Sequence, residues 1–311
     1  MTMRARHILA AGLLTALVAC GRTPESAREQ PTKASTVDPY RAEIEQFRQQ
    51  REAKLTSDTG WLTIAGLYFL TKPETTVGSG GDNDVVLPAG TPPKVGTFAL
   101  AKDGKVSVTL APGVKTTLLD GKPFAGGPIK SDDPGPPDRL VLGDVQVWVH
   151  QSGERPAIRV RDKSNPLRKE FTGMKWYPVN DGYRVEGTFE PLDKPQELKI
   201  PNMLGDIDTM TVPGHVRFTL NGKEHRMVAV TENDTEFWFI FRDLTSGQET
   251  YPAARFLYTP RPDANGKVTL DFNRAENPPC AFNAYATCPL PPPENRLQVR
   301  VEAGEKIYQR H

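Results

Sequence analysis

The chain has 311 residues, with 39 Lys and Arg against 38 Asp and Glu, a formal net charge of +1. A balanced surface has no basic face of the kind that nucleic-acid binding requires, so that partner is excluded. The 29 prolines and 26 glycines, with helical periodicity confined to one segment, are the composition of a turn-rich β-protein of one large or two small domains.

The first residues divide into three parts. Arg4, Arg6 and His7 make a short basic start, and residues 8–18 are an apolar run of eleven. A bilayer-spanning helix needs about 20 apolar residues, so the run fits the core of a secretory signal instead. Leu17-Val18-Ala19-Cys20 then resembles the lipobox of bacterial lipoproteins, in which the cysteine is acylated and becomes the first residue. This predicts a signal peptide over 1–19 and a lipid anchor on Cys20. Acyl chains contribute about 0.8 kcal/mol per buried CH₂, so a multiply acylated Cys20 holds the chain on a membrane without a spanning helix. Gly21 stands where a retention signal resembles Asp. The implied location is the cell envelope, on the outer membrane facing the periplasm if the source is Gram-negative.

Residues 20–37 are polar and small and read as a flexible tether. Asp38-Pro39 is an N-cap followed by proline at the first helical position. Tyr40, Ile44, Phe47 and Leu55 near helical spacing predict one packing helix over 39–56. From Trp61 the period changes to two, with strands expected at 61–69, 84–87, 95–101, 105–111, 114–119, 140–150 and 156–161. Asp103-Gly104 and Asp120-Gly121 are the turn signals between them. Gly78-Ser79 with Asn83-Asp84-Val85-Val86-Leu87, Leu119-Asp120-Gly121-Lys122-Pro123 and Leu140-Val141-Leu142-Gly143-Asp144 resemble the signature segments of a forkhead-associated (FHA) sandwich. The phosphothreonine chemistry of that family is not matched. Ser79 replaces its arginine and Val95-Gly96-Thr97-Phe98 its basic loop, so a phosphate has no bidentate partner and a phosphopeptide is not expected.

Pro166 and its polar neighbours mark the boundary between a helix-plus-sandwich region, 38–165, and a C-terminal domain, 166–311. Residues 183–189 alternate, and 216–220 pair with 227–230 across Asn221-Gly222. Residues 236–242 form a dense apolar strand. Strands at 255–259 and 267–273 follow, separated by Asn265-Gly266, and 296–302 closes the domain. Short strands joined by tight turns predict an antiparallel β-barrel or sandwich. The expected fold is therefore mainly β: an N-terminal helix, an FHA-like sandwich and the C-terminal sheet.

Residues 165–311 resemble a bacterial family known as domain-of-unknown-function 1684. The carrying segments run from Phe171-Thr172-Gly173 to Pro178-Val179, from Tyr183 to Glu186, from Asp243 to Tyr251 and from Arg255 to Tyr258. Leu270-Asp271-Phe272-Asn273-Arg274, Asn277-Pro278-Pro279-Cys280-Ala281-Phe282 and residues 285–291 complete them. The sequence departs from the pattern at Glu276 and at Asn283-Ala284. The resemblance implies no particular reaction.

Chemistry must then be read from residues. Asp271, Asn273, Arg274 and Asn277 lead into a proline-bounded loop, and Asp243, Ser246, Glu249, Tyr251 and Arg255 surround the end of an apolar strand. Strand ends and long loops are where β-domains build sites, so these two loops, with Trp176, Tyr177 and Arg184, are the expected pocket. The alternative is that Arg255, Glu249 and Asp271 pair to support the loops. Cys280 and Cys288, an even pair once Cys20 is assigned to lipid, are expected as a disulfide in an oxidising compartment. A catalytic thiol needs a base from His150, His215, His225 or His311, and a zinc site lacks the usual Cys-x₂₋₄-Cys spacing. Ser246-Gly247 lacks the Gly-x-Ser-x-Gly context and reads as a turn. No nucleotide or metal motif is present, so no cofactor is implied. The expected function is a lipid-anchored envelope protein binding a small ligand or an envelope protein through its C-terminal domain. Two alternatives stand beside it: a hydrolase using Asp271/Glu249 or a free Cys280, and a purely structural envelope protein.

Overall fold

Asp38 starts the fold as an N-cap. In the computed structural model, which describes residues 38–231 and 233–308, its side chain accepts from the Tyr40 N–H (3.0 Å) and opens helix α1 (Pro39–Thr56), as the sequence predicts. The signal, Cys20, the tether and His311 lie outside the described residues. The helix buries Ile44, Arg51 and Leu55. Its polar anchors reach the C-terminal region: the Tyr40 hydroxyl donates to Asp271 (2.9 Å), Arg48 to the Tyr177 carbonyl (2.7 Å) and Arg51 to the Asn277 carbonyl (2.8 Å).

Short strands follow: β1 (Ile64–Phe69), β2 (Glu74–Gly78), β3 (Val85–Val86), β4 (Gly96–Leu100), β5 (Val106–Leu110), β6 (Thr116–Leu118), β7 (Pro123–Phe124), β8 (Gly127–Ile129), β9 (Leu140–Leu142), β10 (Val145–Ser152) and β11 (Arg155–Asp162). They form two sheets, in the orders β1-β11-β10-β9-β6-β7 and β3-β2-β4-β5-β8, over a shared core that includes Val77, Phe98, Leu140, Val147 and Ile158. Three details differ from the sequence reading. Residues 61–63 make a 3₁₀ turn before β1, the 140–150 strand is broken at Gly143 (φ +66°), and β2, β7 and β8 were not foreseen.

Strand β10 is buried along both faces. Period two sends Val145, Val147 and Val149 into the sandwich core, and Gln146, Trp148 and His150 out of it. Trp148 pairs with Arg159 and His150 with Ala157 across the ladder, so β11 adds Arg159 and Arg161 to the same outer face. That face is buried because the C-terminal region covers it: Thr287 reaches His150 and Arg159, and Asn283 caps the Trp61 and Ile64 carbonyls.

The C-terminal sheet is antiparallel, in the order β16-β15-β14-β13-β12-β17, with β12 (Arg184–Pro201), β13 (Ile207–Leu220), β14 (Lys223–Thr231), β15 (Glu236–Phe241), β16 (Arg255–Pro260) and β17 (Lys267–Asp271). Asn221 (φ +51°) and Gly222 (φ +74°) make the predicted two-residue turn between β13 and β14. The sheet nearly closes into a barrel, because Phe256 and Glu276, just beyond β17, exchange backbone hydrogen bonds (2.8 and 2.9 Å). Phe218, Phe237, Phe239, Phe241 and Phe272 fill its interior. Each such ring contributes about 1.5–3 kcal/mol on burial. The strand expected at 296–302 does not form. Leu297, Val299 and Val301 still enter the core, but the backbone there is taken by the end of β15: Leu297 N–H donates to Arg242 O (2.8 Å), and Val301 N–H to the Asp243 carboxylate (2.7 Å). Among the described residues no helix is long and apolar enough to cross a membrane.

Candidate functional site

The family loops first resolve into local knots. Asp243 and Arg255 form an ion pair (3.0 Å) with no solvent exposure. Thr245 and the Val301 amide complete the carboxylate, and the Val301 and Ala303 carbonyls (3.0 and 2.5 Å) take the guanidinium. Ser246 closes the turn by accepting from the Asp243 amide (3.2 Å). Asp271, Asn273 and Arg274 sit under α1, where Tyr40, Glu43 and Asn180 engage them. Arg184 lies over the Tyr40 ring (4.8 Å), and Trp176 beneath Arg48 (5.1 Å). The Tyr177 hydroxyl donates to Glu249 (2.7 Å), which also pairs with Arg300. Burial and that carboxylate push the Tyr177 phenol up. Tyr251 donates to the Cys280 carbonyl (3.2 Å). Arg255, Glu249 and Asp271 are thus all paired, each with a different partner.

A fourth knot is more unusual. Asn277 gives its amide and side chain (2.9 Å each) to Glu305, which is 1% exposed. Arg51 lies between two carboxylates, 3.1 Å from Glu276 and 3.9 Å from Glu305. Burial pushes Glu305 up to about 7, against the pull of Arg51 and Asn277, and burial raises Glu276 as well.

Tyr251 lines a cavity of about 830 Å³ with Cys280 and Asn283, and Trp176 one of about 490 Å³ with Arg48. A further cavity that could hold a ligand lies beside this knot and contains none of the twelve predicted pocket residues. It has a volume of about 390 Å³, within the range of small-molecule sites. Its walls come from every part of the fold. Helix α1 provides Arg51 and Lys54, the turn after it Trp61, and β11 Arg159. The nearly closed barrel provides Trp238, Phe256, Tyr258 and Glu276, and the cysteine loop Thr287 and Cys288. Arg159 is its distinctive cation. It is 5% exposed, its guanidinium lies over the Trp61 ring (5.5 Å), and its Nε has no hydrogen-bond partner among the described residues. Its remaining polar contacts are long, 3.4 Å to Thr287 Oγ1 and 3.9 Å to Asp132. Burial pushes it down to about 10, and Asp132 opposes that shift. A buried donor left unpaired costs about 1–3 kcal/mol.

Cys280 and Cys288 are adjacent thiols, the Cys280 amide meeting Cys288 Sγ at 3.2 Å. Burial and the neighbouring Cys280 sulfur push Cys288 well up, while the hydrogen bond from Cys288 brings Cys280 down. Among the described residues no group of three His, Cys, Asp or Glu side chains is placed to hold a metal. Ser79 donates to the Thr91 carbonyl (2.7 Å). A larger groove of about 710 Å³ on the sandwich edge is lined by Lys105, Ile129 and Val149 among others, and its Lys105 is already paired with Asp103 (2.8 Å).

Sequence reasoning named His150 only as a possible base for a cysteine thiol, and missed Arg159, Thr287 and Asp132. The available signal was weak: a strand, 156–161, that places arginines at alternate positions, and a histidine at the end of another.

Comparison with known proteins bears on the C-terminal region. No curated protein matches the chain. Among solved structures, it is similar to an uncharacterized protein of Haloarcula marismortui determined by solution NMR, at 28% identity and a TM-score of 0.40, over 46% of this chain and 81% of that one. The family model described as "Protein of unknown function (DUF1684)" matches residues 169–306, which contain Glu276, Thr287 and the three barrel-side aromatic residues of the cavity, Trp238, Phe256 and Tyr258.

Proposed function

We propose that this is a lipid-anchored protein of the cell envelope that binds a small anionic amphiphile in the cavity between α1, β11 and the C-terminal barrel. The carrying observation is Arg159, buried against Trp61 with an unpaired Nε and only long contacts elsewhere. A carboxylate or phosphate supplies the charge-assisted partner it lacks. The aromatic side chains Trp61, Trp238 and Phe256 then take the apolar body of the ligand. Lys54 stands at the exposed side of the same cavity and favours the same sign of charge. The anchor rests on Leu17-Val18-Ala19-Cys20 behind its short apolar run, and the polar segment 21–37 gives the domain reach from the membrane.

Tryptophan fluorescence tests the binding. Octanoate and octyl phosphate should quench or shift the emission saturably, octanol should do so weakly, and Trp61→Phe should remove part of the response. Equal responses to octanol and octanoate would refute the anionic assignment.

A further inference from the structure

His150 has the surroundings of a working base. Its Nδ1 lies 2.8 Å from Asp132 Oδ2, and its Nε2 lies 3.1 Å from Thr287 Oγ1. A carboxylate only accepts, so Nδ1 carries a proton, and in the neutral ring Nε2 is the nitrogen that accepts from the threonine hydroxyl. Asp132 is itself held, taking the Trp148 indole N–H (3.2 Å) on Oδ2 and the Gln151 amide (2.9 Å) on Oδ1. Burial pushes Asp132 up, but His150, the Gln151 amide and Arg159 outweigh it and leave the group below the usual carboxylate range. The three residues come from the segment before β9, from β10 and from the cysteine loop. Period two along β10 brings His150 out of the sandwich core and under Thr287. Thr287 in turn lines the aromatic cavity, with Arg159 Nη2 3.4 Å from its hydroxyl. A nucleophile bonded to a base, a base bonded to an orienting carboxylate and a cation beside the nucleophile are the parts an acyl-transfer site requires.

We propose that Thr287, His150 and Asp132 act as nucleophile, general base and positioning carboxylate in the hydrolysis of a medium-chain acyl ester held in the cavity; this rests on the ligand-binding reading above. Thr287 Oγ1 forms a bond to the ester carbonyl carbon while its proton passes to His150 Nε2. The carbonyl π pair moves onto oxygen, beside the Arg159 guanidinium. Collapse breaks the bond to the alcohol oxygen, which leaves with the proton from His150. Water then attacks the acyl-threonine and gives a proton to His150, and cleavage of the acyl–Oγ1 bond returns that proton to Thr287. One ester and one water yield one carboxylic acid and one alcohol, with no change of oxidation state. The carboxylate of the product is the ligand chemistry that Arg159 favours.

The test uses the full chain and para-nitrophenyl octanoate. Turnover should be lost in Thr287→Val and retained in Thr287→Ser, and His150→Asn should lower kcat/KM by about 10²–10⁴-fold. Asp132→Asn should lower kcat with octanoate affinity unchanged, a split that a purely structural role would not produce. A fluorophosphonate should label the peptide containing Thr287. Octanoate quenching is measured on every variant and reports both folding and the cavity. Quenching with no Thr287-dependent turnover and no adduct would overturn the hydrolase and leave the binding reading standing. Loss of both in the unaltered protein would overturn both.

Discussion

The Arg51 guanidinium, carried on α1, lies 3.1 Å from the Glu276 carboxylate at the point where the C-terminal barrel nearly closes. Helix and C-terminal region are therefore joined by a buried charge as well as by apolar contacts such as Leu55 in one cluster with Tyr251 and Phe282, and Glu305 lies behind Arg51 as a second carboxylate.

That arrangement predicts a pH effect with a definite sign. Glu305 is raised in the folded state from 4.5 to about 7. The stability it contributes is fully present below pH 4.5 and is lost as pH rises through about 7, because the unfolded chain releases the proton first. The upper bound is about 3 kcal/mol, from about 1.4 kcal/mol per pKa unit. Glu305→Gln should flatten the fall in stability between pH 4.5 and 7, measured by urea unfolding at a series of pH values. An unchanged slope would remove Glu305 as its source.

The Asp243–Arg255 pair is the most deeply buried ion pair among the described residues. Removing one partner leaves an uncompensated charge, at a cost of about 3–5 kcal/mol. Asp243→Ala should therefore lower the unfolding free energy by that amount, while exposed Glu224→Ala, which faces Arg217, should cost under about 1 kcal/mol. Comparable losses in the two variants would contradict the assignment.

Cys280 and Cys288 meet in the structure as thiols, and in an oxidising compartment they are expected to close a disulfide. Closing so short a loop contributes about 2–3 kcal/mol in the chain-entropy model. Protein extracted from the envelope under alkylating conditions should show neither thiol reactive, and reduction should lower its midpoint of unfolding. Two alkylated cysteines would show the dithiol to be the resident form.

Acylation of Cys20 predicts that the unaltered protein sediments with membranes and takes up labelled fatty acid, and that Cys20→Ser does neither. Membrane association surviving that substitution would move the anchor elsewhere.

Much of the fold was legible because it rests on local rules. Asp38-Pro39 opens the helix, Asn221-Gly222 turns β13 into β14, and Val268, Leu270 and Phe272 alternate into the core. The final segment misled because Leu297, Val299 and Val301 alternate like a strand, while the Asp243 carboxylate and the end of β15 take the backbone that a neighbouring strand would need. The site was harder to read for a physical reason. Asp243, Asp271 and Arg255 stand out as polar residues in apolar surroundings, and burial is what obliges such groups to pair with one another. The groups left under-partnered, Arg159 above all, are distinguished only by what faces them, and residues 128 apart supply that.

The central claim is that Arg159 receives an anion in an aromatic cavity, and calorimetric titration of octanoate into unaltered and Arg159→Gln protein tests it most directly. A charge-assisted hydrogen bond is worth about 1.5–3 kcal/mol, so the substitution should weaken octanoate at least about tenfold and leave octanol unchanged. Equal octanoate affinity in the two proteins, or no binding to either, would contradict it.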